Sequence, residues 1–126
     1  MLACAALSAG CDRPPAARRR PAAVVRPPGL LVEVRLREWG IDVADSLPAG
    51  PITFVVRNAG HEDHAFRIHD NGVDAATGEV EPGLAATLTV TLAPGRYALE
   101  CPVKEPEENE DHAVLGMRRP LHVVPR

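Results

Sequence analysis

Aromatic side chains are nearly absent: one Trp, one Tyr and two Phe make up 3% of 126 residues. A core that cannot rest on rings must be aliphatic, which favours packed sheets of short, β-branched strands. Thirteen Pro and ten Gly argue against long helices, whose interiors they break or weaken. No apolar run approaches the about 20 residues that a membrane-spanning helix needs. The sequence also lacks a Ser/His/Asp ordering, an H-E-x-x-H motif and a phosphate-binding loop, so no motif points to an enzyme. The length suits one compact domain and not two.

Residues 1–29, MLACAALSAGCDRPPAARRRPAAVVRPPG, differ in composition from residues 30–126. The segment 1–11 is small and apolar and reads as the tail of an export signal. Within it LSAGC (Leu7 to Cys11) looks like a bacterial lipobox, in which the cysteine becomes the lipid-bearing first residue of the mature chain. The other reading is an apolar, disordered tail that stays in place. Residues 12–29 then read as a Pro/Ala/Arg-rich linker with no apolar periodicity. Five arginines there against Asp12 give +4, while nine basic and sixteen acidic residues give −7 over residues 30–126. A basic tether suits an anionic membrane surface; an acidic domain argues against nucleic-acid binding. These features together lead to the expectation of an extracytoplasmic protein, periplasmic or lipid-anchored through Cys11.

From residue 30 the pattern alternates. LLVEVRLREW sets Leu30, Val32, Val34 and Leu36 on one face and Glu33, Arg35 and Arg37 on the other, the period of a half-buried strand. Ile52, Phe54 and Val56 are expected inward on the next strand. Leu84, Ala86, Leu88, Val90 and Leu92 are expected inward on a later one, with Thr87, Thr89 and Thr91 outward. APG turns into RYALEC, where Tyr97, Leu99 and Cys101 share one parity. LHVVP closes the domain. Residues 30–126 are therefore expected to form an all-β, Greek-key β-sandwich of six to eight short strands with no convincing helix.

Cys101 is alone in that domain, so no internal disulfide is open to it, and a buried apolar thiol is its ordinary reading. The residues after it shift that reading. His112 and Met117 follow within sixteen positions, with Gly116 before the Met. Thiolate and thioether are soft ligands and imidazole suits copper; two His, one Cys and a distant Met form the blue-copper arrangement. The second imidazole must come from His61, His64, His69 or His122. His122 and His69 read as exposed strand positions, which leaves the pair in RNAGHEDHAFRI.

Three segments carry a family resemblance. They are Phe54-x-Val56-x-Asn58-x-Gly60 with His64-x-Phe66-x-Ile68, Pro94-Gly95-x-Tyr97-x-Leu99-x-Cys101, and His112 followed by Gly116-Met117. In that order they resemble the cupredoxins over residues 30 to 125. The resemblance implies one copper ion held by His64, Cys101, His112 and Met117, with His61 the reserve ligand. It also implies a monomeric electron carrier whose partner is a c-type cytochrome or an oxidase. Val114 and Leu115 are expected to keep water from the metal, and Ala113 to leave an imidazole edge open for electron exit.

The chain departs from the family in one place. Ten residues, PVKEPEENED, separate Cys101 from His112, a longer loop than is usual, though extra length costs little closure entropy. Its acidic run EPEENED is either a solvated loop tip or a docking patch for a basic partner. Besides electron transfer, two alternatives stay open: copper storage or delivery through the same ligands, and a metal-free interaction module. The lone thiol excludes a binuclear copper centre that needs two cysteines in one loop.

Overall fold

The computed structural model describes Gly10 and residues 29–126. The expectations for the export segment 1–11, the linker 12–29 and the anchor Cys11 fall, but for Gly10 and Gly29, outside those residues.

Two sheets face each other. The first has four strands in the order β2-β1-β4-β7: β2 (Gly40–Asp42), β1 (Leu30–Arg37), β4 (Gly50–Asn58) and β7 (Ala85–Leu92). The second has five in the order β3-β11-β8-β5-β6: β3 (Ser46–Pro48), β11 (Arg118–Val124), β8 (Gly95–Glu100), β5 (Arg67–Asp70) and β6 (Val73–Ala76). The expected all-β sandwich is the architecture found. The strand number is higher because three pieces, β2, β3 and β6, span only three or four residues each. β1 and β4 run parallel, pairing Val32 with Phe54 and Val34 with Val56.

Alternation explains the core. Val32, Val34 and Leu36 from β1 meet Ile52, Phe54 and Val56 from β4, and Tyr97, Leu99, Leu121 and Val123 close on them from the second sheet. The two Phe rings, 54 and 66, pack at 5.1 Å between centroids. Tyr97 is buried to its hydroxyl, which donates to the Ala93 carbonyl (2.7 Å) and accepts from Asn71 Nδ2 (3.1 Å). Strand β7 fits its expected pattern less well: Ala86, Leu88 and Val90 are half-buried, and Leu84 precedes the strand and is 56% exposed. β7 lies at the sheet edge, where only one flank is covered.

The long insert is folded. Lys104–Glu105 (β9) pairs with Glu110–Asp111 (β10) as a two-stranded antiparallel hairpin. Its turn is closed by Glu108 and Asn109 N–H groups donating to the Glu105 and Pro106 carbonyls. A single helical turn comes next, α1 (His112–Leu115), capped by Asp111, whose side chain accepts from the Ala113 and Val114 amides at 3.1 and 3.3 Å. An Asp at this position satisfies donors the short turn would otherwise leave free.

Replacing Phe54 by Ala removes a fully buried ring and is expected to cost about 3–5 kcal/mol of unfolding free energy. Leu31→Ala, at a site 58% exposed, is expected to stay within about 0.5 kcal/mol. Urea unfolding of both variants compares them.

Candidate metal centre

At one end of the sandwich the chain gathers His64, Cys101 and His112, all fully buried. His64 lies between β4 and β5, and a backbone bridge to Val80 holds it there through bonds of 3.2 and 2.7 Å. Cys101 comes directly after β8 with the inward parity of Tyr97 and Leu99. His112 opens α1, its amide donating to the Val103 carbonyl. Met117 is also fully buried: its amide donates to the His112 carbonyl (3.0 Å) and its carbonyl accepts from the Cys101 amide (2.9 Å). The backbone of Met117 thus ties the other two positions together.

The side-chain atoms converge. His64 Nδ1 stands 3.2 Å from His112 Nδ1, and Cys101 Sγ stands 3.7 Å from the same His112 nitrogen. The Ala65 amide donates to Sγ at 3.4 Å. Burial pushes the Cys101 thiol up, against the pull of the Ala65 and Val103 amides.

The tautomer of His64 is set from behind. Its Nε2 lies 3.0 Å from Glu38 Oε1, and that oxygen also accepts from the His61 and Glu62 amides, both at 2.8 Å. Burial works against ionising Glu38, but the amides of Glu62, His61 and Glu38 itself, with His64, outweigh it and hold the carboxyl down at about 2. An ionised carboxylate only accepts, so Nε2 carries the ring proton and Nδ1 is a bare lone pair. His112 Nε2 faces Glu62 Oε2 at 3.5 Å and Glu105 Oε2 at 4.0 Å. Its Nδ1 faces the bare Nδ1 of His64: the two form a hydrogen bond when the His112 proton is on Nδ1, and a pair of lone pairs open to a metal when it is not.

Two imidazole nitrogens and a thiol sulfur converging on one space form a donor set for a cation. At trigonal angles, nitrogens bonded at about 2.0 Å and a sulfur at about 2.3 Å to one ion stand about 3.5 Å (N to N) and about 3.7 Å (N to S) apart. The observed separations of 3.2 and 3.7 Å fit a metal ion with little movement. The donor set, two imidazoles and a thiol with a buried thioether residue behind, is the soft and borderline set that copper takes.

His61 does not enter this group: it is exposed, and its amide is spent on Glu38. His69 is half-buried rather than exposed, with Nδ1 2.9 Å from Asp70, and His122 is exposed beside Arg96. Two expectations need correction. Val114 and Leu115 do not cover the site, being 71% and 45% exposed, because the helical turn presents them outward. Nor does Ala113 leave an imidazole edge open: His112 is fully buried, with Glu62 and Glu105 beside its outer nitrogen.

Glu38 and Trp39 escape a reading of the sequence. Glu38 follows β1 on the parity of Leu36, and nothing local in the sequence marks it as a partner for a histidine. Trp39 sets its ring edgewise 4.9 Å from His112 and 6.1 Å from His64. Gly116 and Asn58 stand out in the sequence only as parts of motifs. Gly116 (φ 135°) lets the backbone pass Trp39, whose carbonyl oxygen would sit 2.8 Å from a Cβ there. Asn58 holds the turn before His64. Its Nδ2 donates to the Glu62 and Val80 carbonyls (both 2.7 Å), and its Oδ1 accepts from the Gly60 amide (2.9 Å). Gly60 is needed beside it, since a Cβ would lie 2.6 Å from both Glu38 oxygens.

No protein-family model and no curated protein matches the sequence. Solved structures do. Dithionite-reduced auracyanin from Roseiflexus castenholzii is 23% identical, with a TM-score of 0.57 over 76% of this chain and 97% of that one. Auracyanin B is 21% identical, TM-score 0.60, over 81% and 94%. Auracyanin A, described as a "blue" copper protein from Chloroflexus aurantiacus, is 16% identical, TM-score 0.59, over 76% and 100%. At these identities what is shared is the fold.

Asn58→Ala strands the Glu62 carbonyl and the Gly60 amide and takes one of two donors from the Val80 carbonyl. It is expected to lower stability by about 1–3 kcal/mol, measured by urea unfolding of the metal-free protein.

Proposed function

From the cupredoxin fold and the convergence of three buried donors, we propose that this chain is an electron-transfer protein with a single mononuclear copper centre. His64, Cys101 and His112, with Met117 beside them, would hold it. The observation that carries this reading is the pair of Nδ1 atoms 3.2 Å apart with Cys101 Sγ at 3.7 Å. Copper would supply one-electron exchange between its two oxidation states.

The rest is done by the protein. Electron exchange is fast where ligands hardly move, and the His64 ring and the Cys101 sulfur are each held by a separate bond. Glu38 fixes the His64 ring, the Ala65 amide fixes the Cys101 sulfur, and the Met117 backbone fixes the strand end against α1. Carboxylates and amides in these roles orient a ligand and tune its basicity. The apolar surroundings that raise the thiol make its ionisation depend on the incoming ion, so loading releases the Cys101 proton to solvent.

The same proposal places the protein outside the cytoplasm of a bacterium, periplasmic or tethered by a lipid on Cys11. It works there as a monomer and passes electrons to a c-type cytochrome or an oxidase. The exposed Glu107 and Glu108 at the tip of the acidic hairpin support docking of a basic partner.

Titration of the purified protein with Cu(II) tests this. One equivalent is expected to produce an intense visible charge-transfer band that reduces reversibly and that Cys101→Ser abolishes. A colourless complex that readily gives copper up would favour delivery instead, and absence of binding would leave an interaction module.

A further inference from the structure

His112 offers its two ring nitrogens to two different places. Nδ1 faces His64 and Cys101. Nε2 points away from them, 3.5 Å from Glu62 Oε2 and 4.0 Å from Glu105 Oε2. Glu110 completes this second group: one donor atom from each of Glu62, Glu105, Glu110 and His112 lies within 4.8 Å of every other. The ring is fully buried and its Nε2 has no hydrogen-bond partner; Glu62 Oε2 and Glu110 Oε2 are buried and unpartnered too.

Three carboxylates around one nitrogen need a counter-charge. Among the described residues no Lys or Arg pairs with any of them, and Lys104, on the same hairpin, turns to Asp111 at 3.6 Å. Orienting an imidazole takes a single carboxylate, as Glu38 does for His64. A nitrogen and three carboxylates directed at one space match a coordination shell.

We propose that Glu62, Glu105, Glu110 and His112 Nε2 form a second cation site, selective for a borderline first-row divalent ion such as Zn²⁺. The imidazole favours such ions, whereas Ca²⁺ and Mg²⁺ prefer all-oxygen shells. Binding places the Nε2 lone pair on the ion; a proton there moves to Nδ1, which donates to His64, when the first centre is empty, and leaves to solvent when that centre is filled. The site stands whether or not the first centre takes copper, because the only shared residue is His112, through its other nitrogen. With both filled, the His112 ring lies between two ions, and the acidic insert is what creates the second.

The test is a Zn²⁺ titration of the whole chain by isothermal calorimetry, comparing wild type, Glu105→Gln/Glu110→Gln and Cys101→Ser. The double variant is expected to take up one equivalent fewer than wild type, with an unchanged far-UV spectrum. Cys101→Ser is expected to keep that carboxylate-dependent equivalent and to shift the His112 Nε2 resonance when Zn²⁺ is added. Glu62→Gln, outside the hairpin, removes one donor independently and is expected to weaken the same equivalent by about tenfold or more. Equal uptake by wild type and both Gln variants would overturn the proposal. So would a carboxylate-dependent equivalent that leaves His112 Nε2 unmoved. Failure of the copper reading appears separately, as a Cu(II) complex without the thiolate band.

Discussion

The carboxylate of Glu38 is the constraint on which this end of the molecule depends. Two backbone amides hold it ionised, and it holds the proton of His64 on Nε2. Without it, the inner nitrogen of that ring is free to carry the proton in place of a lone pair. With it, a bare nitrogen is fixed in a buried pocket 3.2 Å from the Nδ1 of His112. A buried lone pair is costly unless a donor or a cation meets it, and here either a proton on His112 Nδ1 or a metal ion does so. The fold tolerates this arrangement because the surrounding strands are rigid and the turn before His64 is fully bonded through Asn58.

The sandwich supplies the rigidity without aromatic bulk. Aliphatic residues from β1 and β4 pack on those of β8 and β11, and the few rings are placed where they do most. Phe54 and Phe66 fill the centre, Tyr97 pins a turn, and Trp39 walls the two imidazoles. The acidic hairpin covers the site from outside. It turns what would be an open histidine edge into a buried one facing carboxylates.

Much of this was legible in the sequence. Period-two alternation located β1, β4, β7 and β8, and the parity of Tyr97, Leu99 and Cys101 correctly turned the sulfur inward. The choice of His64 over His61 rests on the family resemblance, in which the first ligand lies after the turn and just before Ala65-Phe66. What escaped was long-range. Glu38 meets His64 only because β1 runs parallel to β4, a pairing that no local pattern announces. The burial of His112 depends on a hairpin in a run of charge, EPEENED, that composition alone describes as a solvated tip. Leu84, Val114 and Leu115 were misplaced because hydrophobicity marks a preference for the interior and does not guarantee a place there.

Diffraction from copper-loaded crystals at the copper absorption edge addresses the centre itself most directly. A single principal anomalous peak is predicted inside the triangle of His64 Nδ1, His112 Nδ1 and Cys101 Sγ. The sulfur of Met117 should be a more distant fourth neighbour, and the Glu38–His64 bond should be intact. A peak confined to the acidic hairpin, or one that leaves Cys101 Sγ unbound, would contradict the account.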